Sequence, residues 1–301
     1  MNGKCVLLAT DLSDAAVVAA RRARDLGAIF GLPVVVAHVI EAGAAAWMAS
    51  TYAALADPEQ MDAARRRVDA WYRRVTEAAP SDVSVTVDDC YSGLVSIATD
   101  HDPAVLVMAR TGKGAVLRTL LGSRVQAIVA RPPCPVLIVH PDARPLDAQT
   151  RLAVGVDFSP LSAGAVRVGV ELARRLGVGL RLVHSIHLPD LPALPDVIIP
   201  PANEGMIAQV DDELKALAAD LAADLPAVDT AVLLGGPVGA LTRDAEARAT
   251  DLLIVAHKGH RSRLADFLGS VARGLVVGAP CSVLVVGGRG VSAPGGPRQA
   301  A

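Results

Sequence analysis

Aromatic side chains are scarce: three Phe, three Tyr and two Trp among 301 residues, 3% in all. With so few large rings, a hydrophobic content of 52% has to pack through Ala, Val and Leu. Excess charge is absent too, since 29 basic and 31 acidic side chains leave a formal net charge of −2. No overall field steers nucleic acid or an anionic membrane to such a chain, so partners of both kinds are excluded from the reading and any basic site must be local. The four cysteines, Cys5, Cys90, Cys134 and Cys281, show no C-x-x-C spacing, and each sits in or beside an apolar run. They read as reduced thiols of a cytosolic protein, with a redox role for Cys134 and Cys281 as the alternative. No uninterrupted apolar run approaches the ~20 residues of a membrane span, and the apolar segment of MNGKCVLLATD is too short for a secretory signal. A soluble, cytoplasmic protein is expected. Finally, H-E-x-x-H, G-x-S-x-G and a Walker lysine are all missing, which removes the common hydrolase and P-loop readings.

What is present is a duplicated arrangement. Met108 to Arg124, MARTGKGAVLRTLLGSR, returns at Val255 to Val271 as VAHKGHRSRLADFLGSV. In each copy an apolar run empties into a short polar loop holding Gly112 or Gly259. Nine residues separate that glycine from Gly122-Ser123 or Gly269-Ser270, which open an apolar helical stretch. A glycine where a strand ends, and a Gly-Ser where a helix begins, bring backbone N–H groups to a phosphate chain. The pattern points to a phosphate loop in each half.

The surrounding chain alternates strand and helix. Cys5 to Thr10 reads as a strand ending in Asp11-Leu12-Ser13, and Ser13 or Asp14 can cap the helix that follows. Val34 to Ile40 is a second strand, so the unit is β-α-β and requires a parallel sheet. Residues 41 to 56 read as a variable loop, partly helical. Asp57-Pro58 starts a helix whose arginines (Arg65, Arg66, Arg67, Arg73, Arg74) read as a solvated face balanced by Asp62, Asp69 and Glu77 rather than a nucleic-acid patch. Strands at Val83 to Val87, Val105 to Ala109 and Val136 to His140, with helices at Leu94 to Thr99 and Ser123 to Ala130, complete a doubly wound unit of five strands and four helices. PDARPLDAQT then reads as a linker.

After the linker the pattern repeats. Asp157 follows Asp11 by 146 positions and His184 follows His38 by 146; Gly269 follows Gly122, and Cys281 follows Cys134, by 147. An offset constant to within one residue implies tandem duplication. The expected organisation is a first domain over 1–142, a linker over 143–150, a second domain over 151–288 and a disordered tail over 289–301. Within the second half, Leu188 to Pro201, with five prolines, reads as an extended surface loop, and DDELKALAADLAADL as the helix after it.

Two halves, each with an Asp ending the first strand, G-x9-G-S after the fourth, and a P-C-x-V-L-x-V fifth strand, resemble tandem universal stress proteins, from about Lys4 to Gly287. The resemblance implies two tandem, Rossmann-like, five-stranded parallel α/β units of the adenine nucleotide alpha hydrolase-like type, related by a pseudo-twofold. The ATP-binding branch of that family carries G-x2-G-x9-G-[ST]. Here the last two parts match twice, and the first glycine is replaced by Ala109 and by Ala256, against the ribose. By the same resemblance Asp11 and Asp157 lie at the adenine end, and the backbone of Val39 and Ser185 reads the adenine edge. The residue-level reading of the two aspartates alone is a helix cap. His38 and His184 are expected to be hydrogen-bonded core residues. Gly112, Gly122, Ser123 and Arg124 in one half, and Gly259, Gly269, Ser270 and Val271 in the other, are the expected phosphate end. Lys113, Arg118, Lys258, Arg261 and Arg263 add positive charge nearby.

The implied ligand is ATP, with or without magnesium, although a lone carboxylate makes a weak metal site and no metal-ligand set is assigned. Three functions follow: a nucleotide-binding regulatory or stress protein with protein partners, a nucleotide-free interaction module, and a slow ATPase. A catalyst is not expected. Fifth strands would otherwise be bare apolar edges, so they are expected to pair with each other, as a pseudo-dimer within a monomer or within a further homodimer.

Overall fold

The computed structural model describes residues 3–41, 57–111, 123–187, 201–258 and 269–287. The first half runs β1 (Val6–Ala9), α1 (Asp14–Phe30), β2 (Val34–Ile40), α2 (Pro58–Thr76), β3 (Asp82–Val87), α3 (Cys90–His101), β4 (Val105–Ala109), α4 (Ser123–Ala130) and β5 (Val136–Val139). The second runs β6 (Leu152–Gly155), α5 (Pro160–Leu176), β7 (Leu180–Ile186), α6 (Pro201–Leu221), β8 (Val228–Leu234), α7 (Pro237–Ala247), β9 (Leu252–Ala256), α8 (Ser270–Gly278) and β10 (Ser282–Val286).

All strand pairs within a half are parallel. The halves join through one antiparallel pair, β5 against β10, with Ile138 opposite Val283 and Val136 opposite Val285. One ten-stranded sheet results, in the order β3-β2-β1-β4-β5-β10-β9-β6-β7-β8. The expected pairing of the two fifth strands therefore closes both apolar edges, and it does so at the centre of the sheet.

Helices cover both faces, which is why the strands read as continuous apolar runs. On one face Val6, Leu8, Val105 and Val107 pack with α1, α2, α5 and α6; on the other Leu7, Leu106, Ile138 and Leu253 pack with α3, α4, α7 and α8. Each of these cores runs unbroken from one half into the other. The scarce large rings sit where reach is needed: Trp71 and Tyr72 of α2 are buried against the sheet.

Local signals account for most boundaries. Ser13 and Ser159 cap α1 and α5 by accepting from Ala16 N and Ser162 N, and Gly31 and Gly177, at φ 64 and 68, end them in the left-handed region. Two helices differ from the expected spans. α3 begins at Cys90 rather than Leu94, because Asp89 accepts from the backbone of Tyr91 and Ser92 and holds an extra turn. α6 starts at Pro201, well before Asp211, and stops at Leu221: Pro201 suits a first helical position, and MIAQV continues the helix. The linker is not a loose tether. Arg144 grips Asp251 with Nε and Nη2 at 3.0 and 2.8 Å, Asp251 also accepts from Arg151 N, and the Arg144 carbonyl receives the buried Arg22 guanidinium. The Pro-rich loop 188–200, the tail 289–301 and the variable loop 42–56 lie outside the described residues.

Candidate functional site

In each half the chain runs outward from the first strand on one side and from the fourth on the other. The carboxyl ends of β1 and β4, and of β6 and β9, therefore flank the point where strand order reverses, where open α/β sheets form a crevice. Asp11 and Asp157 stand at that point. Neither is a helix cap. Asp11 Oδ1 accepts from Ser13 N and Asp157 Oδ1 from Ser159 N, both at 3.0 Å, so each aspartate braces the serine that does the capping.

Between aspartate and serine lies a residue in the left-handed region, Leu12 at φ 61 and Phe158 at φ 58. Side chains rarely adopt that backbone, and its recurrence at both crevices marks a turn shape the fold holds against a cost of order 1 kcal/mol. Sequence reasoning missed Leu12 and Phe158; the repeated D-[LF]-S was the available signal. Phe158 is 40% exposed and leans on the His184 ring, centroids 5.2 Å apart. His38 and His184 each hold Nδ1 at 2.7 Å from a backbone carbonyl, that of Thr10 and of Val156. Since a carbonyl only accepts, Nδ1 carries the proton. These histidines tie the second strand to the first strand's exit, as expected of them.

Val39 and Ser185 sit in register with Thr86 and Leu233, and the Ser185 hydroxyl donates to Gly235 O at 2.8 Å. Ala109 and Ala256 are the last residues of β4 and β9 and are half-buried. Gly112, Gly122 and Gly259 fall outside the described residues, as do Lys113, Arg118, Arg261 and Arg263. Ser123 begins α4 and Ser270 begins α8. Gly269 is the cap of α8, has no side chain to satisfy the first-turn N–H groups, and ties back through its own N–H to His257 O at 2.9 Å. Among the described residues, then, no side chain caps the first-turn backbone donors of α8.

The halves differ at the next position. Arg124 is exposed and forked onto Glu41, Nε to Oε1 at 2.9 Å with Nη2 on Oε2, and this hydrogen bonding raises its pKa further. Asp11 and Cys90 also feel this pair. Val271, half-buried, occupies the equivalent place in the second half, without a charge. Glu41 was not foreseen, because residues 41 to 56 read as a variable loop. Among the described residues no group of three or more His, Cys, Asp or Glu is placed to hold a metal ion.

Behind each crevice a buried side chain crosses the seam. Arg110 follows Ala109, and its Nη1 donates to Ala279 O, at the end of α8, at 2.7 Å. His257 follows Ala256, and its ring hydrogen-bonds the carbonyl of Ala130, at the end of α4. Each half thus caps the last helix of the other.

The model of the universal stress protein family matches residues 4–140 and again 150–287. The chain belongs to the universal stress protein family, in tandem form. Universal stress protein Rv2005c of Mycobacterium tuberculosis is 29% identical over 273 residues, covering 86% of this chain and 88% of that protein. The same figures hold for universal stress protein Mb2028c of Mycobacterium bovis. Among solved structures, a universal stress protein from Archaeoglobus fulgidus superimposes with a TM-score of 0.67 at 18% identity, covering 95% of this chain and 99% of that one. A universal stress protein from Pseudomonas aeruginosa gives 0.64 at 14% identity, covering 94% and 93%. These matches extend the universal stress protein fold over both halves. No described helix is long and apolar enough to cross a membrane.

Proposed function

We propose that this universal stress protein binds adenine nucleotide, ATP with or without magnesium, at the carboxyl-end crevices, and that occupancy regulates its contacts with protein partners in the cytoplasm. The observation that carries the reading is the start of α8. A helix terminus with no side-chain cap among the described residues, glycine then serine, opens where strand order reverses, beside a left-handed turn held by an aspartate. Such a terminus is suited to phosphate. Its residues bind rather than react: the aspartates are engaged in turns and the histidine Nδ1 atoms on carbonyls, so the protein is read as a non-catalyst.

For the first half one observation favours a nucleotide-free state: the Arg124 guanidinium is closed on Glu41. Mass spectrometry of small molecules released on denaturing freshly purified protein, quantified per chain, tests both readings. One ATP or ADP per chain, reduced about tenfold by Gly269→Ala, supports binding in the second half; two per chain add the first. No released nucleotide and no thermal shift with added ATP would leave an interaction module. Release of phosphate from added ATP, at a rate above that of a Gly269→Ala variant, would replace the non-catalytic reading with slow hydrolysis.

A further inference from the structure

At the opposite end of the second half, at the amino-terminal ends of β6, β7 and β8, lies an open cavity of about 470 Å³ lined by Arg151, Gly179, Arg181, Ala227, Asp229 and Arg248 among others. That volume is within the ~300–1,000 Å³ range of small-molecule sites. The duplication supplies an internal control, because strand register equates the two halves residue by residue. Val6 pairs with Val34 as Leu152 pairs with Leu180, and Val35 with Asp82 as Arg181 with Asp229. The left-handed Asp102 and Ala249 fix the ends of α3 and α7 likewise.

On that alignment Cys5, Val35 and Ile97, all buried, become Arg151, Arg181 and Asp244. Pro33 and Pro80 become Gly179 and Ala227, and His101 becomes Arg248. Three positions that are apolar core in the first half are ionic in the second, and the two proline rings beside them have no counterpart there. Arg181 is forked onto Asp244, Nε to Oδ2 at 3.0 Å and Nη2 to Oδ1 at 2.8 Å, and also meets Asp229. An apolar pair exchanged for a buried ion pair brings no dependable gain in stability. What the exchange does supply is a polar wall. Both carboxylates are committed to Arg181, so the surplus charge is that of Arg151 and Arg248. Arg151 Nη1 donates to Arg248 O at 3.0 Å, which holds the two together, and the Arg248 guanidinium has no hydrogen bond or ion pair among the described residues.

We propose that this cavity is a second ligand site, present in the second half and distinct from the crevices, for a small multivalent oxyanion bearing phosphoryl or carboxylate groups. Two guanidinium forks on one rim match a molecule with two anionic groups. Calorimetric titration of the full chain with pyrophosphate, and separately with citrate, at fixed ionic strength, in the parent protein and in Gly269→Ala, tests it. Saturable binding of either anion at up to one per chain, weakened at least fivefold by Arg248→Ala and abolished by the paired change Arg181→Val with Asp244→Ile, is the expected result; the responding anion identifies the class. Arg248 is exposed, so its variant keeps the fold, as an unchanged thermal melt will verify. No saturable binding of either anion, or binding that survives Arg248→Ala, or binding that Gly269→Ala abolishes, would overturn the proposal.

Discussion

At the scale of single residues, chemistry follows environment more than identity. Burial pushes the thiols of Cys134 and Cys281 up to about 12, and those of Cys5 and Cys90 to about 11, with Asp102 adding to Cys5 and Glu41 to Cys90. All four are free. Thiols held that high are protonated at neutral pH and make poor nucleophiles, which weighs against the redox alternative for Cys134 and Cys281. Iodoacetamide at pH 7.5 should leave Cys5, Cys134 and Cys281 unmodified in the native protein and alkylate all four cysteines after denaturation, as peptide mapping will show. The Glu41–Arg124 pair yields a second expectation. Both partners are about two-fifths exposed, so solvent screening keeps the pair within ~0.2–1 kcal/mol. Glu41→Gln frees the guanidinium and removes a negative charge, so ATP affinity in the first half should rise by up to about fivefold, read by titration in a Gly269→Ala background. Asp11 and Asp157 were legible from the sequence as site candidates. The conformations of Leu12 and Phe158 were not, since nothing in an apolar side chain announces a positive φ.

At the scale of elements, periodicity and capping residues made the strands and helices of the first half readable in advance, and the repeat carried the pattern into the second, where β8 and α7 had no reading of their own. The exceptions have local causes. Asp89 extends α3 by a turn, and α6 begins in a stretch whose five prolines disguised a helix start. Packing between helices was not readable at all. Gly274 of α8 faces Val238 at the start of α7, and a Cβ there would lie 2.7 and 2.9 Å from its two methyl carbons. Alanine would gain up to ~1 kcal/mol of helix propensity, but an overpacked contact costs ~1–3 kcal/mol. The clash should win. Gly274→Ala is expected to lower stability by roughly 1 kcal/mol in a denaturant melt and to weaken ATP binding through displacement of Ser270, and adding Val238→Ala should restore both.

At the scale of the whole molecule, the two halves are one sheet and two continuous cores, so they should unfold together. The seam sets their response to acid. Burial lowers the pKa of His257, with Lys258 acting in the same direction, and burial together with Arg110 lowers that of His140. His257 Nε2 is buried and has no hydrogen-bond partner among the described residues, so a second proton there would be uncompensated. Because the folded values lie below the unfolded value of 6.5, the unfolded chain binds more protons as pH falls past that point. Stability contributed by the neutral rings is thus full above about 6.5 and lost progressively below it. Urea midpoints measured from pH 7.5 to 5.5 should fall, and His257→Gln should flatten the decline. The sequence pattern made the joining of fifth strands foreseeable; the crossed caps of Arg110 and His257 were not, because each depends on contact with a carbonyl in the other half, that of Ala279 or of Ala130, which only coordinates reveal. The antiparallel β5–β10 seam lies within one polypeptide, and this has a genetic consequence. In a symmetric pair of identical subunits every mutation is expressed at both sites, so neither can change alone. Fusion removes that constraint: Arg124 can stand opposite Val271, and Val35 opposite Arg181, each inherited separately, and one copy can acquire a new ligand while the other keeps the old one.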